Sequence, residues 1–155
     1  MATPAFVRLI REWNAAVSAV VRVVGSRERA LAAVEGIKLQ EHYGVCFASY
    51  RFLGKRGGLS NKAIQRMMDQ LEEAGLIRRK RIIRANQTQG TYVVDWGGLW
   101  QRVAAALDKL ARERSRPGEY ERLLAEGRLG EAWDLKRSTH TDAELLAEMR
   151  HPPPG

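Results

Sequence analysis

The sequence predicts a mostly α-helical chain with one small β-hairpin near its middle, and three observations predict it. Apolar residues recur at steps of three and four along much of the 155-residue chain, the spacing of one helical face. Glycine and serine stand where one helix would stop and the next would be capped. Two segments, Leu76 to Arg84 and Thr91 to Trp96, have the β-prone composition of strands, and they flank the polar loop Ala85 to Gly90.

Taken in order, Phe6, Ile10, Trp13, Val17, Val20 and Val24 mark a long amphipathic first helix. Gly25 ends it and Ser26 caps a second helix, Arg27 to about His42, which Gly44 closes. The apolar stretch Val45 to Ala48 leads into a short helix, Ser49 to Arg56, and Gly57-Gly58 then forces a turn. The helix Asn61 to Ala74 has both ends specified. Ser60 is its N-cap with Leu59 placed to staple onto Ile64, and Gly75 is its C′ residue with Leu76 placed to close onto Leu71. Ile64, Met67, Met68 and Leu71 form its inner stripe. After the hairpin, Leu99, Trp100, Val103, Leu107 and Leu110 mark a helix reaching the break at Ser115 to Gly118. Short helices follow over Glu119 to Glu126, over Leu129 to Arg137 and after Thr141, where Glu144 completes a capping box. The tail from His151 to Gly155 cannot continue a helix and is expected to fray. Three regions result: residues 1–26, 27–96 and 97–155.

Composition narrows the function. With 45% hydrophobic and 28% charged residues the chain can build a core. One cysteine and three scattered histidines give neither a disulfide nor zinc-ligand spacing, so no metal and no cofactor is expected. The most apolar run, Trp13 to Val24, is too short to cross a bilayer, and Arg22 interrupts it where a signal peptide would need continuity. The expected location is the cytoplasm, associated with the nucleoid, without a membrane partner. No phosphate loop, zinc-protease histidine pair or nucleophile elbow is present, and the neighbouring Glu72 and Glu73 point apart on a helix, so no enzyme is expected.

The formal charge of +8 is concentrated. Residues 51 to 84 carry ten basic and three acidic side chains, a net +7, which is the footprint of a surface for a polyanion. Met67, Met68 and Cys46 read as core residues, and Trp13, Trp96, Trp100 and Trp133 lack the basic interleaving of a single-strand stacking platform.

A short helix, a glycine turn, a doubly capped helix and a basic hairpin occur in this order in the run GLSNKAIQRMMDQLEEAGLIRRKR and its flanks. That arrangement resembles a winged helix-turn-helix. The resemblance implies that Asn61 to Ala74 is the recognition helix and the hairpin its wing, with extra helices at both ends. A major groove about 12 Å wide admits one helix whose side chains offer donors and acceptors to base edges. Asn61, Lys62, Gln65 and Arg66 supply that chemistry near the amino end, with Gln65 and Arg66 as the expected base readers. Lys55, Arg56, Ser60 and Asp69 border this face, and Arg78, Arg79, Arg81, Arg84, Gln87 and Thr88 are the expected wing contacts to phosphate or minor groove. The expected partner is double-stranded DNA.

The helix order resembles regulators of the multiple-antibiotic-resistance (MarR) type, although Ala85-Asn86-Gln87-Thr88 replaces their Asp-Arg-Arg-like wing sequence. The ending Gly90-Thr91-Tyr92-Val93-Val94-Asp95-Trp96 looks more like wings of plasmid and phage replication-initiation proteins. Transcriptional regulation is therefore the leading expectation, replication initiation the second, and a winged helix that binds protein the third. A homodimer is expected through Phe6, Ile10, Trp13, Val17, Val20, Val103 and Leu107, and the C-terminal helices are expected to meet a partner from the transcription or replication machinery.

Overall fold

The computed structural model describes residues 4–44, 46, 48–82 and 91–150, the side chains of residues 4–11, 82, 91 and 92 excepted. The readings placed on Arg84, Gln87, Thr88, the hairpin loop and the C-terminal tail fall outside the described residues. Within them the chain is mostly helical: α1 (Pro4–Val24), α2 (Arg27–Tyr43), α3 (Tyr50–Gly57), α4 (Asn61–Glu73), α5 (Gly97–Arg114), α6 (Glu119–Ala125), α7 (Leu129–Ser138) and α8 (Asp142–Glu148). The strands β1 (Arg78–Ile82) and β2 (Thr91–Asp95) lie between α4 and α5 and pair antiparallel, with Arg79 opposite Val94 and Arg81 opposite Tyr92.

The caps form as the side chains dictate. Ser26, Ser49 and Ser60 each accept a hydrogen bond from the backbone N–H three residues on, at 3.2, 3.1 and 3.2 Å. These bonds satisfy donors that a helix start would otherwise leave without partners. At the far end of α4, Leu76 N–H donates to the Leu71 carbonyl and Gly75 N–H to that of Glu72, both at 3.0 Å. With Gly75 at φ +78° this is a Schellman closure. The closure explains why β1 starts at Arg78 rather than at Leu76: Leu76 and Ile77 are buried under the helix end instead of joining the ladder. α8 carries the expected capping box between Thr141 and Glu144.

One pairing has no counterpart in the strand pattern of the sequence. Val94 N–H donates to the Cys46 carbonyl at 3.0 Å, an antiparallel bridge that leaves β2 between β1 and the segment following α2. Cys46 is 1% exposed, as its apolar surroundings lead one to expect.

The chain divides into two compact units, Val17–Trp100 and the combination of Met1–Ala16 with Gln101–Gly155, so the divisions fall inside α1 and α5. The first unit buries Ile37, Leu53, Ile64, Met67, Met68, Leu71, Leu76, Ile77, Val93, Trp96 and Leu99. Each such side chain contributes about 1.5 to 3 kcal/mol through removal from water. The second unit has its own apolar cluster of Ala111, Tyr120, Leu123 and Ala132, with Leu135 packed against it. A polar network lies beside that cluster. Tyr120 donates to Asp108 at 2.9 Å, Lys136 pairs with the same Asp108 oxygen at 2.7 Å, and the Lys136 ammonium lies 4.7 Å from the Trp133 ring centre. Among the described residues, no helix is long and apolar enough to cross a membrane.

The glycine turn between α3 and α4 is set by close approach. A Cβ at Gly54 would collide with the Leu59 carbonyl oxygen, and one at Gly57 would collide with the Glu28 carbonyl oxygen of α2. Gly58 stands at φ +67°, in the left-handed region. Replacing Gly57 by Ala must therefore push α3 from α2, with an expected loss of about 1 to 3 kcal/mol. Gly130→Ala, where a Cβ meets nothing within 4 Å, should cost nothing. Urea denaturation of the two variants checks this contrast.

Candidate nucleic-acid interface

Two side-chain contacts define the flanks of α4. Glu72 reaches Arg79 of the hairpin, and Gln70 on the other flank lies 3.4 Å from the Arg29 guanidinium of α2. Ile64, Met67, Met68 and Leu71 have no exposed surface and form the inner face. Helical geometry then places Lys62 and Arg66, one turn apart, on the outer ridge. Gln65, seven residues before Glu72, falls on the hairpin flank. Asn61, Lys62, Gln65 and Arg66 are all exposed, and Lys62 and Arg66 have no carboxylate partner among the described residues. Ser60 is exposed too, its oxygen accepting the capping bond while its hydroxyl proton stays available to a ligand.

The acidic half of the helix is bound differently. Nη2 of Arg79 lies 2.7 Å from Asp69 and 2.8 Å from Glu72, while its Nε donates to Glu72 at 3.3 Å. The Arg79 backbone N–H donates to the other Glu72 oxygen at 3.0 Å, so this carboxylate also covers a donor on the open edge of β1. Hydrogen bonding from the Arg79 side chain, and then from its backbone, holds the Glu72 carboxyl below its ordinary value, and Glu72 in turn raises Arg79. Arg79, expected to contact phosphate, has its guanidinium engaged by two carboxylates and its side chain only 25% exposed. Asp69, expected to border the same face, is the partner of Arg79 and keeps its side chain 58% exposed.

The rest of the hairpin divides the same way. Lys80 pairs with Asp95 at 3.0 Å. Asp95 also accepts from Gln40 at 2.9 Å and from Gly97 N–H at 2.9 Å, and Gln40 accepts from Trp96 N–H at 2.6 Å, which ties the end of β2 to α2. Burial pushes the Asp95 carboxyl up, but donation from Gly97, Lys80 and Gln40 outweighs it and holds the group low. Arg78 and Arg81 are exposed and without ion pairs among the described residues.

On α3, Lys55 is exposed and unpaired, whereas Arg56 lies 3.5 Å from Glu35 at 60% exposure, a contact of little energetic weight. Arg51, one turn before Lys55 and also exposed, joins the basic group. Sequence reading missed it, although its four-residue spacing from Lys55 was the available signal.

The seven residues expected to pair two copies differ in how far they are covered. Val20, Val103 and Leu107 are 0% exposed within one chain, Trp13 and Val17 are half-buried, and the side chains of Phe6 and Ile10 lie outside the described residues. A side chain already covered in its own protomer adds nothing to an interface, which applies to Val20, Val103 and Leu107.

Set beside known proteins, the chain matches no family model, no curated protein and no solved structure. The chemistry of the surface rests on its own residues.

The Glu72 pairing has a pH signature. A carboxyl whose folded pKa lies below its unfolded value of about 4.3 adds stability above that value and loses it as pH falls through the folded pKa. Carboxyl NMR should show Glu72 titrating below the ordinary glutamate range, and in Arg79→Ala it should move back toward that range.

Proposed function

We propose that the chain binds double-stranded DNA with sequence preference, presenting α4 to the major groove and the hairpin to the flanking backbone in a winged helix-turn-helix arrangement, as a regulator of transcription. The observation that carries this reading is the segregation of free and engaged charge. Arg51, Lys55, Lys62, Arg66, Arg78 and Arg81 are exposed without ion pairs among the described residues, while two of the three acids on α4 are held by Arg79. Free cations beside amide side chains suit a ligand that is anionic along its backbone and patterned along its edges. The order α2, the bridge at Cys46, α3, the glycine turn, α4 and the hairpin supports the same reading. Replication initiation uses the same surface chemistry, and the location of recovered binding sites separates the two: promoters for a regulator, repeated sites in an origin for an initiator.

If about five of the free cations meet phosphate, log K should fall against log salt with a slope near −4.5. Fluorescence anisotropy with labelled duplexes between low and moderate salt measures it, and an affinity indifferent to salt contradicts the electrostatic reading. Substituting Gln65 or Arg66 with Ala should cost about 1 to 3 kcal/mol on a selected site and flatten discrimination among sequences. Arg78→Ala should weaken all duplexes alike and reduce the slope by about one.

A further inference from the structure

We propose that Arg79 is a positioning residue that masks Asp69 and Glu72, two of the three carboxylates of α4, from an anionic ligand instead of contacting that ligand itself. The inference rests on the DNA-binding reading above and specifies how the surface attains its sign. The charged residues of α4 are Lys62, Arg66, Asp69, Glu72 and Glu73, so by formal charge the helix alone is net −1. A helix of that sign would be repelled by phosphate, since like charges brought together at an interface are unfavourable.

Arg79 changes this without leaving the protein. One guanidinium nitrogen bridges Asp69 and Glu72 at 2.7 and 2.8 Å, so a single cation lies against both carboxylates. The second oxygen of Glu72 is occupied by the Arg79 backbone N–H at 3.0 Å, which fixes the hairpin strand to the helix and the helix carboxylate to the strand. Asp69, 58% exposed, and Glu72, 40% exposed, stay within reach of solvent. Without Arg79 their charge would face the ligand uncompensated. Lys62 and Arg66 then set the sign of the amino-terminal part of the outer ridge, with the exposed Glu73 at its far end.

Masking, anchoring and mechanical bracing predict different thermodynamic cycles. Anisotropy with one labelled duplex at a fixed low salt is measured for the wild-type chain, Arg79→Ala, the double variant Asp69→Asn/Glu72→Gln, and the triple variant combining all three. Circular dichroism and urea denaturation establish that each is folded. Masking predicts that Arg79→Ala weakens binding about tenfold, that the double variant binds as tightly as wild type or tighter, and that the triple variant recovers to within about threefold of the double. If Arg79 touched phosphate, its loss would weaken binding equally with and without the two carboxylates, and the proposal would be overturned. A brace alone would be as broken in the triple variant as in Arg79→Ala, so folded variants without recovery overturn it as well. A wild-type chain that binds no duplex at any salt removes the DNA reading and this inference together, whereas wild-type binding with no recovery removes this inference alone.

Discussion

The candidate surface depends on how firmly one face of α4 is held inward. Four consecutive inner positions, Ile64, Met67, Met68 and Leu71, have no accessible surface, and rotation of the helix about its axis would expose them at roughly 25 cal/mol for each square ångström uncovered. The caps at Ser60 and Gly75 determine where the helix begins and ends, and the glycine turn before it brings the α3 backbone into van der Waals range of α2. With axial position and rotation both constrained, Lys62 and Arg66 can only point outward. The polar outer face follows from the apolar inner one.

Electrostatics then decides what that face offers. The segment from 51 to 84 contains ten cations, but Arg79, Lys80 and Arg56 face internal carboxylates. Those pairs act on geometry more than on stability, because exposed ion pairs contribute only about 0 to 1 kcal/mol each. Arg79 links α4 to β1, and Asp95 with Gln40 links β2 to α2. The hairpin is thereby tied to the helix layer at two points, and among the described residues the cations left over are the ones available to a ligand.

The second compact unit follows another plan. Beside its cluster of Ala111, Tyr120, Leu123 and Ala132 lies the Tyr120, Asp108 and Lys136 network, in which the Lys136 side chain is 13% exposed and its ammonium finds both a carboxylate and aromatic faces. Burying a charge there is tolerable because it is paired and hydrogen-bonded. Further ion pairs, Lys109 with Glu148 and Arg114 with Glu144, join α5 to α8.

Local order was legible from the sequence because it is decided within a few residues. The caps at Ser26, Ser60 and Thr141, the Schellman closure through Gly75 and Leu76, the inner stripe of α4 and the existence of the hairpin all follow from spacing and side-chain type, and each is found in place. What depended on residues distant along the chain, or on the exact path of the backbone, did not follow. The periodic stripes that hold Val20 on α1 and Val103 and Leu107 on α5 read the same whether they are covered by their own chain or by a second copy, and only the folded packing shows those three covered. The bridge from Cys46 to Val94 joins residues far apart in sequence and has no strand pattern to announce it. Likewise, ten cations in a row of segments look alike on paper. Which are free is settled by the crossing of β1 over the end of α4, where Asp69 and Glu72 come within hydrogen-bonding distance of Arg79. Sequence composition thus determines how much positive charge the region carries, and tertiary structure decides where that charge is neutralised, because electrostatic pairing acts over a few ångströms of space and not over positions along a chain.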